Sequence, residues 1–226
     1  MDASKNLFFN DKWKDIIKNG SQKLGIDLDN SQIDLFSSHA AHLYLWNKTI
    51  NLTAIKDPEE MALKHFIDSI ALILHINKDS KILDIGSGGG FPGFCLKIIY
   101  PDLDIVLIDS AKKKVNFLKD LIRKTSLKKI EAMHVRAEDL CNDLLFYGQF
   151  DYVVSRAFSS LEKFYLLATP FLNEKGVILA MKGQVPNEEI KQLKSMNKFN
   201  ASNMIIESHS YKLPFTDIER SIVKIS

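Results

Sequence analysis

Cysteine, proline and tryptophan are scarce in this 226-residue chain, with two, six and two copies. Cys95 and Cys141 show neither a pairing pattern nor metal-ligand spacing, which leaves two free thiols and suits a reducing cytosol. Long apolar runs are also missing. The stretch from Ile70 to Ile76 is broken by His75 and falls far short of a bilayer span, and Met1 to Lys5 carry no signal-peptide core. A soluble, cytoplasmic protein without a membrane partner is expected. Neither sign of charge dominates, with 30 Lys and Arg against 28 Asp and Glu, so the net charge announces no polyanionic partner by itself. The six histidines form no metal set: His39 and His42 share a helical face without a third ligand, and a polar or half-buried face is expected there.

What is present begins with apolar content of 46%, enough for one core in a chain of this length. Glycine has only ten copies, and five of them fall between Gly86 and Gly93. They follow the apolar Lys81-Ile82-Leu83 in the run Asp84-Ile85-Gly86-Ser87-Gly88-Gly89-Gly90-Phe91-Pro92-Gly93, a strand entering a loop from which a helix departs. Gly88-x-Gly90-x-x-Gly93 also matches the dinucleotide fingerprint, which is weak alone. Asp84 separates the two readings, because a carboxylate at the strand end repels a pyrophosphate but tolerates a cationic, phosphate-free ligand. S-adenosylmethionine is such a ligand. The pattern Asp84-x-Gly86-x-Gly88-x-Gly90 resembles the first motif of the Rossmann-like class I methyltransferases. A second apolar strand, Ile105 to Ile108, ends at Asp109, placed to accept both ribose hydroxyls.

Before Asn47 the periodicity of Trp13, Ile16, Ile17, Ile33, Leu35, Phe36, Leu43 and Trp46 predicts two amphipathic helices. Asp57-Pro58-Glu59-Glu60 reads as a cap with Pro in the first turn, opening a helix through about Leu74. From Lys81 onward strands are expected at 81–85, 104–109, 130–135, 150–155, 176–182, 202–210 and 219–225, with helices at 92–100, 111–126, 160–170 and 187–197. The expected fold is therefore α/β: a Rossmann-like class I methyltransferase fold with a seven-stranded, mostly parallel sheet, helices on both faces and an N-terminal helical extension. The extension takes 1–78 and the cofactor domain 79–226. The last two strands, joined through Pro214, should form an antiparallel hairpin.

Ligands of open sheets lie beyond the carboxyl ends of the strands, so candidates follow from strand ends. The third strand is followed by Arg136-Ala137-Glu138, where an adenine fits; Glu138 also suits a helix cap or a pair with Arg136. The fourth ends in Ser155-Arg156-Ala157-Phe158, which places Arg156 at the reacting group, with a fork suited to a carboxylate, a phosphate or a guanine edge. Amine methyltransferases usually show Asn/Asp-Pro-Pro-aromatic here, and no activated Cys is in view for attack on carbon. Guanine N7 is already nucleophilic and needs alignment without a general base. Between Ala111 and Ile130, eight basic residues face one acid, a stretch that suits RNA or a solvated helix face.

Several segments together resemble the RsmG family, also called glucose-inhibited division protein B, of bacterial small-subunit ribosomal RNA guanine-N7 methyltransferases. They are Trp46-Asn47-Lys48 with Asn51-Leu52-Thr53, His65-Phe66-Ile67-Asp68-Ser69, the glycine loop, Asp109-Ser110, Ser155 to Phe158 and Lys182-Gly183-Gln184. The resemblance implies S-adenosylmethionine contacts from Gly86, Phe91, Ala137, Glu138 and Arg156, with Asp84, Gly88 and Asp109 completing the cofactor site and Arg156 as the catalytic residue. It implies contacts to 16S ribosomal RNA or the small subunit from Asn51, Thr53, His65 and Asp68; Lys182 is a further candidate for the substrate, and a monomer without an obligate protein partner is expected. Gly89 stands where the family often carries Pro, and Leu213 to Arg220 match the family's end more loosely.

Overall fold

The computed structural model describes residues 3–141, 143–200 and 204–226. The two helices expected before Asn47 are three: α1 (Ala3–Phe8), α2 (Asp11–Lys23) and α3 (Asn30–Asn47). Asn10 makes the break, because its side chain turns back to accept the Trp13 N–H at 2.8 Å and so opens a new helix. Asp29 and Gln32 form a capping box at the start of α3.

The helix expected from Pro58 through Leu74 is present but not uniform. It runs as α4 (Pro58–Met61), a π-helical stretch (Ala62–Ile67), α5 (Asp68–Ile70) and a 3-10 stretch (Ala71–His75). A π turn widens the helix and re-aims the side chains it carries, here Lys64 and His65.

Strands β1 (Lys81–Ile85), β2 (Asp104–Asp109), β3 (Ile130–His134), β4 (Phe150–Arg156), β5 (Leu172–Lys182), β6 (Ile206–Lys212) and β7 (Glu219–Ile225) form one sheet in the order β3-β2-β1-β4-β5-β7-β6. Every pairing from β3 to β5 is parallel, while β7 runs antiparallel to β5 and to β6, which gives the expected terminal hairpin. Strand β5 starts earlier than expected, since the polar Asn173-Glu174-Lys175 hides an irregularity where the register shifts between Phe150 and Tyr152. The start of the expected strand at 202–210 lies partly outside the described residues; β6 proper begins at Ile206.

Helices α6 (Gly93–Ile99), α7 (Lys112–Thr125), α8 (Ala137–Leu140), α9 (Leu161–Ala168) and α10 (Asn187–Asn200) connect the strands. Alternation along each strand divides the core between the two faces. Ile82, Ile105, Leu107 and Val154 face α6, α7 and the N-terminal helices, in a cluster that runs from Phe8, Trp13 and Phe36 through Phe66 to Phe94 and Phe117. Leu83, Ile85, Val106, Ile108 and Val153 face the other way, against Ala137, Phe164 and Leu193 of α8, α9 and α10. The order in which strands are added reverses between β1 and β4, and the crevice beyond their carboxyl ends is where an open α/β sheet binds ligands.

Candidate active site

On the β1 side that crevice is built from left-handed backbone, which favours glycine. Gly86 and Gly88 have φ of +77° and +54°, and a Cβ on Gly86 would meet nothing within 4 Å, so the loop leaves an open cradle at the end of β1. Gly93 opens α6 against Asp84, which is fully buried and accepts the Gly93 N–H through Oδ2 at 2.8 Å. The other oxygen, Asp84 Oδ1, is buried without a partner, and complete burial pushes this carboxyl up to about 8. Asp109, at the end of β2, accepts from Gly88 N–H at 3.0 Å and from Ala111 N–H at 2.8 Å, which ties the glycine loop to the start of α7.

Gly86, Asp109, Ala137 and Glu138 line one cavity of about 180 Å³ together with Ile85, Ile108, Ser110 and Phe158. Four of the residues expected to hold the cofactor thus come together from three strand ends. Phe91 and Arg156 are not among the residues that line this cavity. The Phe91 ring is buried between the imidazoles of His39 and His65, with centroids 5.0 and 4.9 Å away and interplanar angles of 18° and 26°.

Arg156 is the last residue of β4, and the next residue, Ala157, adopts φ +63°, a left-handed conformation that costs energy without glycine. The guanidinium sits 4.8 Å over the Phe91 ring and donates from Nη1 to Lys64 O at 2.9 Å and from Nη2 to His65 Nδ1 at 3.0 Å. The Lys64 carbonyl faces Arg156 because the π turn routes the Asp68 N–H to Leu63 O. Asp68 Oδ2 is 3.6 Å from Arg156 Nη1, and its Oδ1 accepts from Tyr211 OH at 2.8 Å and lies 3.4 Å from Arg220 Nε. Burial raises the Asp68 carboxyl, against the pull of Arg156 and Arg220. His65 and Asp68, both expected as RNA contacts, are joined through Arg156.

A second, larger cleft of about 820 Å³ opens between α3 and the following loop, lined by Tyr44, Asn47, Lys48, Asn51, Thr53 and Lys56 among others. Asn47 shapes its rim, accepting the Leu52 and Thr53 N–H groups at 2.8 and 3.0 Å and donating to Thr53 O at 2.9 Å. Thr53 Oγ1 is 2.6 Å from His65 Nε2, so this cleft touches the Arg156 cluster directly. Lys182 is the outlier among the expected substrate residues. It pairs with Glu189 at 2.9 Å and donates to Phe158 O at 3.1 Å, while Glu189 accepts the Leu161 N–H at 2.6 Å, so the three together brace the loop after β4.

His39 was expected on a polar or half-buried face and is instead completely buried, 2.7 Å from Gly89 O and stacked on Phe91. Burial lowers its imidazole to about 3, so the neutral ring donates to that carbonyl and props the glycine loop from below. His42 is buried beside it, 2.9 Å from Asp120 of α7. No three His, Cys, Asp or Glu among the described residues group as a metal site.

Two solved structures share this fold: a SAM-dependent methyltransferase of Aquifex aeolicus, with TM-score 0.52 and 15% identity over 75% of this chain and 93% of that one, and a precorrin-6y C5,15-methyltransferase of Geobacter metallireducens, with 0.51 and 13% over 76% and 89%. Sequence relatives are much nearer. A ribosomal RNA small subunit methyltransferase G of Geobacter sp. (strain M21) is 42% identical over 94% of this chain and 96% of its own length, and one of Acinetobacter baumannii is 40% identical over 92% and 94%. The family model for rRNA small subunit methyltransferase G matches residues 32–213, and the chain belongs to that family.

Proposed function

We propose that this protein transfers a methyl group from S-adenosylmethionine to N7 of a guanine in small-subunit ribosomal RNA. The observation that carries the reading is the convergence, in a chain of this family, of Gly86, Asp109, Ala137 and Glu138 on one cavity at the strand ends. The residues fit the cofactor. Gly86 leaves open space, the Asp109 carboxylate is poised for ribose hydroxyls, Ala137 and Glu138 flank an adenine, and Asp84 Oδ1 is a buried acceptor without a donor. When bound, S-adenosylmethionine supplies an electrophilic methyl on its sulfonium. The guanine N7 lone pair needs only alignment with it, and Arg156, anchored by Lys64 O, His65 and Asp68, is the rigid group that orients the base. Asn51 and Thr53 border the cleft for the nucleotide. We read the protein as a cytoplasmic monomer; no helix among the described residues is long and apolar enough to cross a membrane.

A cationic cofactor near Asp84 has a pH consequence. With its carboxyl at about 8, Asp84 is mostly protonated at pH 7 in the free protein, and a nearby positive ligand favours the carboxylate. Binding at pH 7 should therefore release a proton, and affinity should rise with pH up to about 8 and level off above it. Calorimetry in buffers of different ionisation enthalpy checks this, and Asp84→Asn should abolish the release.

On α7, Lys112, Lys113, Lys119, Arg123 and Lys124 are exposed, with Lys128 and Lys129 just beyond, whereas Lys114 leans to within 3.8 Å of Asp109. Reversing Lys112 and Lys113 to Glu should weaken RNA binding by roughly tenfold and flatten its salt dependence, with cofactor affinity unchanged. Equal RNA affinity in the variant would reduce the stretch to a solvated face. The methylated position is tested chemically, because an N7-methylguanine carries a fixed positive charge and becomes labile to reductive strand scission. Scission after treatment with protein and cofactor supports the reading; methylated RNA that resists scission would remove N7 from it.

A further inference from the structure

The hydrogen bonds around Thr53 determine which way its hydroxyl proton can go. Arg156 carries only donors, so its Nη2, 3.0 Å from His65 Nδ1, requires that nitrogen to be an unprotonated acceptor. The neutral ring then carries its hydrogen on Nε2 and donates it to Thr53 Oγ1 at 2.6 Å. Burial and the adjoining guanidinium lower His65 to about 3, which holds this protonation state through neutral pH. Ile55 N–H donates to the same Oγ1 at 3.0 Å. Both lone pairs of the hydroxyl are thereby used, and its own O–H has no acceptor among the described residues.

Thr53 borders the cleft of about 820 Å³, large enough for a nucleotide. We propose that Thr53 presents a one-way hydrogen-bond donor to position 6 of the substrate purine, accepting guanine through its O6 carbonyl and refusing adenine, whose position 6 bears an amino donor. O6 and N7 lie side by side on the same base edge, so a donor fixed on O6 also aims N7. His65 is then a positioning residue: Arg156 sets its tautomer, and the tautomer sets the polarity of Thr53. This specificity element rests on the guanine-N7 reading above and names the substrate atom that the site reads.

The test is a double comparison on small-subunit RNA carrying either guanine or 2-aminopurine at the methylated position. The analogue keeps N7 and the 2-amino group and lacks O6. Wild type and Thr53→Val are assayed on both RNAs, and the analogue's intrinsic reactivity cancels between the two proteins. Thr53→Val should lower kcat/KM about tenfold more on guanine than on the analogue, because the acceptor lost to His65 Nε2–H and Ile55 N–H burdens both RNAs alike, while Thr53→Ser, which keeps the hydroxyl, should restore the guanine preference. Thr53→Ala is carried in parallel in case valine prevents folding, and calorimetric cofactor binding certifies each variant. The same loss on both RNAs would overturn the proposal, since the hydroxyl would then serve the loop or a phosphate and not O6. Wild-type protein that leaves the guanine RNA unmethylated would defeat the underlying reading and this one with it, a result distinguishable from an equal loss on two active substrates.

Discussion

Arg156→Ala should lower kcat/KM for RNA methylation by at least about a hundredfold, and Arg156→Lys should recover little of it. The magnitude follows from removing a fixed, positioned donor at a reacting centre, which costs roughly 10²–10³ in rate in comparable sites. Lysine fails because two separate nitrogens of the guanidinium reach Lys64 O and His65 Nδ1, at 2.9 and 3.0 Å, while its plane lies over Phe91; one ammonium cannot span that geometry. The variant should also be less stable by about 2 kcal/mol, because Asp68 stays buried with only Tyr211 and Arg220 to compensate it. Sequence alone suggests an Arg156 variant with an intact fold; the buried network around it adds the stability cost. Steady-state kinetics with urea unfolding separates the two effects. An alanine variant with wild-type kinetics would remove Arg156 from the chemistry.

Gly93→Ala should be the most damaging single-methyl change in the cofactor loop, destabilising by about 3 kcal/mol or preventing folding. A Cβ there would stand 2.5 Å from Leu107 Cδ2, 2.7 Å from Asp84 Oδ2 and 3.0 Å from Asp84 Cβ, all in the packed layer between β1, β2 and α6. Those neighbours cannot retreat: Leu107 is fully buried, and Asp84 is held by the Gly93 N–H itself. Gly86→Ala makes the informative contrast. Its added methyl points into open space, so the stability cost is confined to the left-handed backbone, about 1 kcal/mol, while the methyl occupies the cofactor cradle. Thermal denaturation should rank Gly93→Ala far below Gly86→Ala, and cofactor calorimetry should find the latter folded but weakened. Equal melting temperatures would show that the strand and helix do not pack as closely as described.

The parts of the site that were legible in the sequence are those fixed by local chemistry. Asp84, Gly86 and Asp109 were readable because each sits at a strand end, where apolar periodicity stops and a glycine or acid begins. The parallel sheet and its terminal hairpin followed from strand spacing in the same way. What escaped is long-range. The π turn that aims His65 and the Lys64 carbonyl at Arg156 has no propensity signal, since Ala62 to Ile67 read as an ordinary amphipathic helix. His39 looked like a half-polar helix residue because its partner, the Gly89 carbonyl, is 50 positions away. Tyr211 and Arg220 reach Asp68 from the terminal hairpin, across 143 residues in the case of Tyr211, so their support of Arg156 appears only once the sheet is assembled. Lys182 shows the converse: a conspicuous cation at a strand end, whose ammonium is engaged by Glu189.

The most direct test is to incubate the protein with methyl-labelled S-adenosylmethionine and small ribosomal subunits that lack the modification, then to analyse the RNA nucleosides by mass spectrometry. Labelled N7-methylguanosine, formed by wild type and lost in Arg156→Ala, is the predicted result. No label in the RNA, from protein that binds the cofactor by calorimetry, would contradict it.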